Sequence, residues 1–160
     1  MRQIIGIGEC MVELSGAGDG LWKKGFAGDV FNTLWYARRS LVAPWKVKFF
    51  TGLGTDPMSD ALAAFMADAG IEPLGPRVPD RRVGLYMIHL KEGERSFSYW
   101  REHSAARLLA SDPRALAAGV KGAEVIYLSG ITLAILSKED RLKLWKVIAD
   151  AKKHDVTIAF

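Results

Sequence analysis

Residues 47–70 read VKFFTGLGTDPMSDALAAFMADAG, a run that holds one complete strand, loop and helix pattern. Val47 to Phe50 is a short apolar run suited to a strand. It enters a loop, Thr51 to Asp56, after which Asp56-Pro57 supplies a helix cap and a favoured first helical residue, and Gly70 a stop. Strand, loop and helix in that order form the repeating unit of a parallel α/β sheet.

The same order recurs on both sides. Ile4 to Gly8 alternates little and is bounded by glycine, as expected of a strand buried on both faces. Asp29 is placed to cap a helix whose apolar side holds Val30, Phe31, Leu34, Trp35 and Ala37. Further on, Glu124 to Ser129 reads as a buried strand, Ser137 with Asp140 as a capping box, and Leu142, Trp145, Ile148 and Ala149 as one helical face. Val156 to Phe160 opens another apolar strand, whose loop and helix are expected but not found, leaving an open apolar edge.

Two stretches break this rhythm. Met11 to Ser15 and Leu21 to Ala27 form a hairpin around the Gly16 to Gly20 turn, and Val83 to Leu90 and Arg95 to Arg101 form another around Lys91-Glu92-Gly93-Glu94. The predicted fold class is therefore α/β, a parallel sheet flanked by helices, with the two hairpins pairing as a small extra sheet. No repeat, low-complexity tract or linker divides the chain.

The 160 residues, 49% hydrophobic and 25% charged, suit a globular domain and exclude disordered and collagen-like classes. Apolar runs such as Val125 to Leu128 fall far short of the roughly 18 residues that span a bilayer, so no membrane partner is expected. The net charge of +4 is spread among acidic residues instead of forming a basic stripe, which gives nucleic acid no footing. A lone cysteine, Cys10, cannot form an internal disulfide; a cytoplasmic location and a buried, unreactive thiol are expected.

Familiar cofactor signatures are missing. Gly6-Ile7-Gly8 lacks the third glycine of a dinucleotide fingerprint, no Walker A lysine occurs, and His89, His103 and His154 are too scattered for a metal site.

Three stretches carry a resemblance. Ala27-Gly28-Asp29-Val30-Phe31-Asn32-Thr33-Leu34 resembles the first signature of the ribokinase-like (PfkB) carbohydrate kinases, although an Asp-capped core helix would read the same. Phe49 to Asp56, FFTGLGTD, resembles the family's second characteristic stretch, with Ser59 where a further glycine is frequent. Arg95 to Ala106, RSFSYWREHSAA, is similar to the lid hairpin of the ketodeoxygluconate-kinase branch. The three occur in the family's order and cover nearly the whole chain.

The resemblance implies that residues 1–160 are the N-terminal part of one ribokinase-like domain, with lid strands within 11–27 and 83–101, and about half of the complete fold. It carries over Gly28, Asp29, Asn32, Tyr86, Tyr99 and Arg101 as substrate contacts. Asp29 and Asn32 suit sugar hydroxyls, the tyrosines offer hydroxyls on apolar rings, and Arg101 suits a sugar-acid carboxylate. Packing for the tyrosines and solvation for Arg101 remain the competing readings. Glu9 could face the same cleft, where the family often has an acid, although a carboxylate at a strand end can equally make a local salt bridge or face water. A complete enzyme would phosphorylate a sugar hydroxyl, 2-keto-3-deoxygluconate in that branch, with ATP and magnesium held by the later half. No catalytic residue and no tight ATP or magnesium binding are expected in this chain alone. A homodimer through the lid is also implied. The alternatives are a non-catalytic sugar-acid-binding or dimerisation module, or a kinase of the same family for another sugar.

Gly16-Ala17-Gly18-Asp19 spells the run that in this family supplies an anion hole and the catalytic aspartate. That chemistry needs amides at a helix N-terminus. The next residues, Gly20-Leu21-Trp22-Lys23-Lys24, read as a strand, so the run is assigned to a turn.

Overall fold

A computed structural model describes residues 2–160. Its main sheet is fully parallel, in the order β5-β4-β1-β8-β9, built from β1 (Gln3–Ile7), β4 (Lys46–Phe50), β5 (Ile71–Leu74), β8 (Val125–Leu128) and β9 (Thr157–Ala159). Helix α1 (Asp29–Ser40) leads into β4, α2 (Pro57–Asp68) links β4 to β5, and α3 (Pro113–Val120), α4 (Gly130–Ile135) and α5 (Lys138–Lys153) surround β8. The chain first builds β1, β4 and β5 outward on one side, then returns to lay β8 against the other side of β1. That reversal creates a topological switch point beside β1, where an open α/β sheet offers a crevice at the carboxyl ends of its strands.

Alternation along the strands divides the core in two, because successive side chains point to opposite faces. Ile5, Ile7, Phe50, Ile126 and Leu128 pack with Leu116, Val120, Leu144 and Ile148 of α3 and α5. Val47 and Phe49 pack with Val30, Phe31 and Leu34 of α1 and Leu62 and Met66 of α2. Gly6 keeps the second face thin enough for α1, since a Cβ there would lie 2.6 Å from the Leu34 side chain.

The two hairpins join as one four-stranded sheet, order β3-β2-β6-β7. Strands β2 (Met11–Gly18) and β3 (Leu21–Ala27) are antiparallel, as are β6 (Leu85–Lys91) and β7 (Glu94–Trp100), and a parallel β2–β6 ladder holds the pairs together. Strand β2 runs further than the sequence suggests: Gly16 and Gly18 pair with β3 across a bulge, and the turn shrinks to Asp19-Gly20, with φ of 50° and 75°. Two residues with positive φ make the tight turn that suits the strands' twist. The second hairpin also shifts: Val83 precedes β6, and Arg101 lies just beyond β7.

Three local readings are corrected. Asp29 does not cap α1; Gly28 takes the N-cap position, and Asp29 is the first helical residue. On α5, Ser137 caps through the Asp140 amide, but Leu142 and Trp145 face water while Leu144 and Ile148 are buried. The side with Leu144, Val147, Ile148 and Ala151 meets the core, and the four-residue spacing Leu144–Ile148 is the period the reading missed by one position. The reciprocal capping box belongs instead to α4, between Ser129 and Thr132. Strand β5, a short edge strand containing Pro73, gave no sequence signal; proline is tolerated there because an edge has a free side.

Candidate functional site

The crevice at the switch point is a cleft of about 240 Å³, lined by Glu9, Met11, Gly28, Asp29, Asn32, Tyr86, Phe97, Tyr99, Arg101 and Ile131. All six residues carried over from the resemblance line it. They arrive from separate places: Gly28, Asp29 and Asn32 from the start of α1, Tyr86 from β6, and Tyr99 and Arg101 from the end of β7. Ile131 comes from the first turn of α4, which is held over β1 by the Thr132 hydroxyl donating to the Ile7 carbonyl at 2.8 Å.

Gly28 is required by space more than by conformation. Its φ of −175° is open to any residue, but an added Cβ would stand 2.1 Å from the Glu9 carbonyl oxygen. The absence of a side chain lets the start of α1 dock against the turn that leaves β1. With no side-chain cap, the first amides of α1 remain available on the cleft side, where their partial positive charge suits hydroxyl oxygens and anions. Asn32 reaches back, its Oδ1 accepting from the Gly28 amide at 3.5 Å, which leaves its NH₂ as a donor.

The second sheet supplies an aromatic wall. Tyr86 and Tyr99 are directly opposite in the β6–β7 ladder, with ring centroids 5.8 Å apart, and Phe97 lies 6.0 Å from Tyr99. Such rings suit the apolar face of a sugar. The Tyr86 hydroxyl donates to Glu13, and burial first, then this bond, pushes its pKa well above the ordinary phenol value. Tyr86 is therefore a neutral phenol whose proton is already committed.

Glu9 is the main residue that sequence reasoning undervalued. It is 2% exposed, its Oε2 accepts from Arg101 Nη2, and its Oε1 accepts from the Ser104 hydroxyl. The side chain of Arg101 is 22% exposed, and its Nε is buried without a hydrogen-bond partner among the described residues. Phe97 was also missed; its two-residue spacing from Tyr99 on a strand was the available signal. Ser104 lay in the Arg95 to Ala106 stretch that carries the resemblance without being singled out, and nothing in the sequence marked Ile131.

Burial raises the Cys10 thiol well above its usual pKa, with the Glu9 charge adding, so the thiol stays protonated beside the cleft. A larger cleft of about 450 Å³ shares Tyr99 and Arg101 and adds Asp80, Arg82, His103 and Ser104, but contains none of Gly28, Asp29, Asn32 and Tyr86. The smaller cleft is the one where the α1 N-terminus meets the second sheet.

The run Gly16 to Asp19 does not fit an anion hole. Gly16 to Asp19 form strand and turn instead of a helix N-terminus, and no group of three or more His, Cys, Asp or Glu among the described residues could hold a metal ion. Nor is any helix among them long and apolar enough to cross a membrane.

A family model described as pfkB family carbohydrate kinase matches residues 1–160. The chain is 36% identical over 165 residues to a 2-dehydro-3-deoxygluconokinase of Haemophilus influenzae, covering 100% of this chain and 52% of that protein. It is 37% identical over 164 residues to the enzyme of the same name from Escherichia coli K12, covering 99% and 53%. The chain thus spans about half the length of the curated relatives it matches. Among solved structures, a 2-dehydro-3-deoxygluconokinase from Thermotoga maritima superposes with a TM-score of 0.78 at 22% identity, over 99% of this chain and 50% of the other. A PfkB protein from Polaromonas sp. JS666 gives 0.81 at 24% identity, over 100% and 55%. These two likenesses establish the ribokinase-like fold of the parallel sheet and its helices.

Proposed function

This chain belongs to the pfkB family of carbohydrate kinases, and from that premise we propose that residues 1–160 form the sugar-binding part of an ATP-dependent kinase acting on 2-keto-3-deoxygluconate. The observation that carries the proposal is the convergence of Gly28, Asp29, Asn32, Tyr86, Tyr99 and Arg101 on one cleft at the switch point of the sheet. Asp29 and Asn32 take sugar hydroxyls, Tyr86 and Tyr99 cover an apolar face, and Arg101 takes the end of the molecule that carries the acid. The names of the relatives support the choice of substrate.

In this reading the second sheet is a lid that shields the sugar from water, and ATP and magnesium are held by parts of the enzyme outside these residues. The lid also joins two copies of the enzyme: Leu21, Trp22, Leu90, Phe97 and Trp100 are all exposed on its strands, and apolar side chains on an exposed sheet favour cover.

Calorimetric titration of the 160-residue chain with 2-keto-3-deoxygluconate tests the proposal. Saturable binding that Asn32→Ala weakens, without sugar phosphate forming when magnesium ATP is added, is the expected result. Absence of binding sinks the assignment of the cleft, and stoichiometric turnover by this chain sinks the placement of ATP elsewhere. Sedimentation of the same sample reports on the pairing.

A further inference from the structure

We propose that Glu9 sets the charge preference of the cleft: it holds Arg101 in position while cancelling much of that residue's pull on an anionic ligand. The inference rests on reading the cleft as a sugar or sugar-acid site.

Glu9 leaves β1 at its carboxyl end and is almost completely buried. A carboxylate is retained at such a place only when it is paired and its lone pairs are used. Both conditions hold, through Arg101 Nη2 on one oxygen and the Ser104 hydroxyl on the other. The backbone closes over the group as well, because a Cβ on Gly84 would stand 3.1 Å from Glu9 Oε1. Arg101 is thereby fixed from one edge of its guanidinium. Four of its five N–H groups are not used by Glu9, and the buried Nε among them has no partner among the described residues.

The charge balance follows from the same contacts. Within about 240 Å³ the lining carries the carboxylates of Glu9 and Asp29 against the guanidinium of Arg101. A ligand carboxylate drawn to Arg101 also approaches Glu9, and like charges at that range in a partly dehydrated site oppose one another. Glu9 therefore narrows the advantage that Arg101 alone would give a sugar acid over a neutral sugar. Glu9 is a positioning and specificity-determining residue, acting on the ligand through Arg101.

The test compares 2-keto-3-deoxygluconate with 3-deoxyfructose, which differs only in carrying a primary alcohol in place of the carboxylate. Dissociation constants are measured calorimetrically for the wild-type chain, Glu9→Gln and Glu9→Ala. Glu9→Gln keeps an acceptor for Arg101 and a polar group for Ser104 but removes the charge. The acid-to-neutral affinity ratio should rise about tenfold in Glu9→Gln, whereas Glu9→Ala, which also releases Arg101, should weaken both ligands. An unchanged ratio in Glu9→Gln, or a parallel loss of both ligands, overturns the proposal while leaving the sugar site intact. Wild-type protein that binds neither compound overturns the sugar-site reading, and this proposal with it. A second measurement needs no variant: with Arg101 already balanced, wild-type affinity for the acid should stay within about twofold between low and high salt, and a steep fall would show an uncompensated cation.

Discussion

The Tyr86 hydroxyl donates its proton to Glu13, the residue it faces across the parallel β2–β6 ladder. A ligand in the cleft therefore meets Tyr86 as an acceptor, which suits a sugar hydroxyl better than a carboxylate or carbonyl oxygen. Because its pKa is raised by burial and by Glu13, the protonated phenol is favoured in the folded state. Its contribution to stability is in place below the ordinary tyrosine pKa and is lost as pH rises through the folded value. Alkaline titration followed by the ultraviolet absorbance of tyrosinate should show a late-ionising tyrosine, and Tyr86→Phe should remove that late component alone.

Asp56 gives the opposite sign. Burial works against its carboxylate, but bonds from the Ser59 hydroxyl at 2.7 Å and from the Ser59 and Met58 amides outweigh it and hold its pKa below the usual value. This stabilisation is present above the unfolded pKa and lost as pH falls through the folded one. Asp56→Ala should cost about 1 kcal/mol at neutral pH, and the difference from wild type should shrink in urea melts repeated at progressively lower pH.

The close approach of α1 to Glu9 makes Gly28 and Gly16 a matched pair. Gly28→Ala places a Cβ 2.1 Å from a backbone oxygen, whereas nothing lies within 4 Å of a Cβ on Gly16. Gly28→Ala should therefore lower the melting temperature clearly and weaken sugar binding, and Gly16→Ala should change neither.

Much of this was legible beforehand, for physical reasons that differ by region. The unit 47–70 announced itself because Asp56, Pro57 and Gly70 are local signals, read without tertiary knowledge. The six cleft residues came through resemblance; periodicity alone would have left Tyr86 and Tyr99 as packing residues. Glu9 resisted because its role depends on Arg101 and Ser104, 92 and 95 residues away in sequence. Asp29 misled for a related reason: an acid at a helix start is the usual cap, but the contact of Gly28 with Glu9 moves the cap one residue earlier.

Helix α5 offers a direct check on which face is inside. Leu144 is fully buried among α3 and sheet residues, while Leu142 is 55% exposed. Leu144→Ala should cost about 2–5 kcal/mol by leaving a cavity, and Leu142→Ala should stay within about 0.5 kcal/mol. Denaturant midpoints of the two variants decide between the observed face and the one that includes Leu142 and Trp145.

Arg101→Ala has two consequences that must be separated. On the proposed reading of the cleft it removes a charge-assisted contact to the ligand, worth on the order of 1.5 to 3 kcal/mol, or roughly ten- to a hundredfold in affinity for the sugar acid. It also strands the buried Glu9 carboxylate, a loss of the kind that costs about 3 kcal/mol or more in stability. Adding Glu9→Gln to Arg101→Ala removes the stranded charge but does not restore the contact. Stability should then recover in large part while the affinity for 2-keto-3-deoxygluconate stays low. Urea melts and calorimetry on the two single variants and the double variant test this. Recovery of binding together with stability would mean that Arg101 only neutralises Glu9 and never touches the ligand.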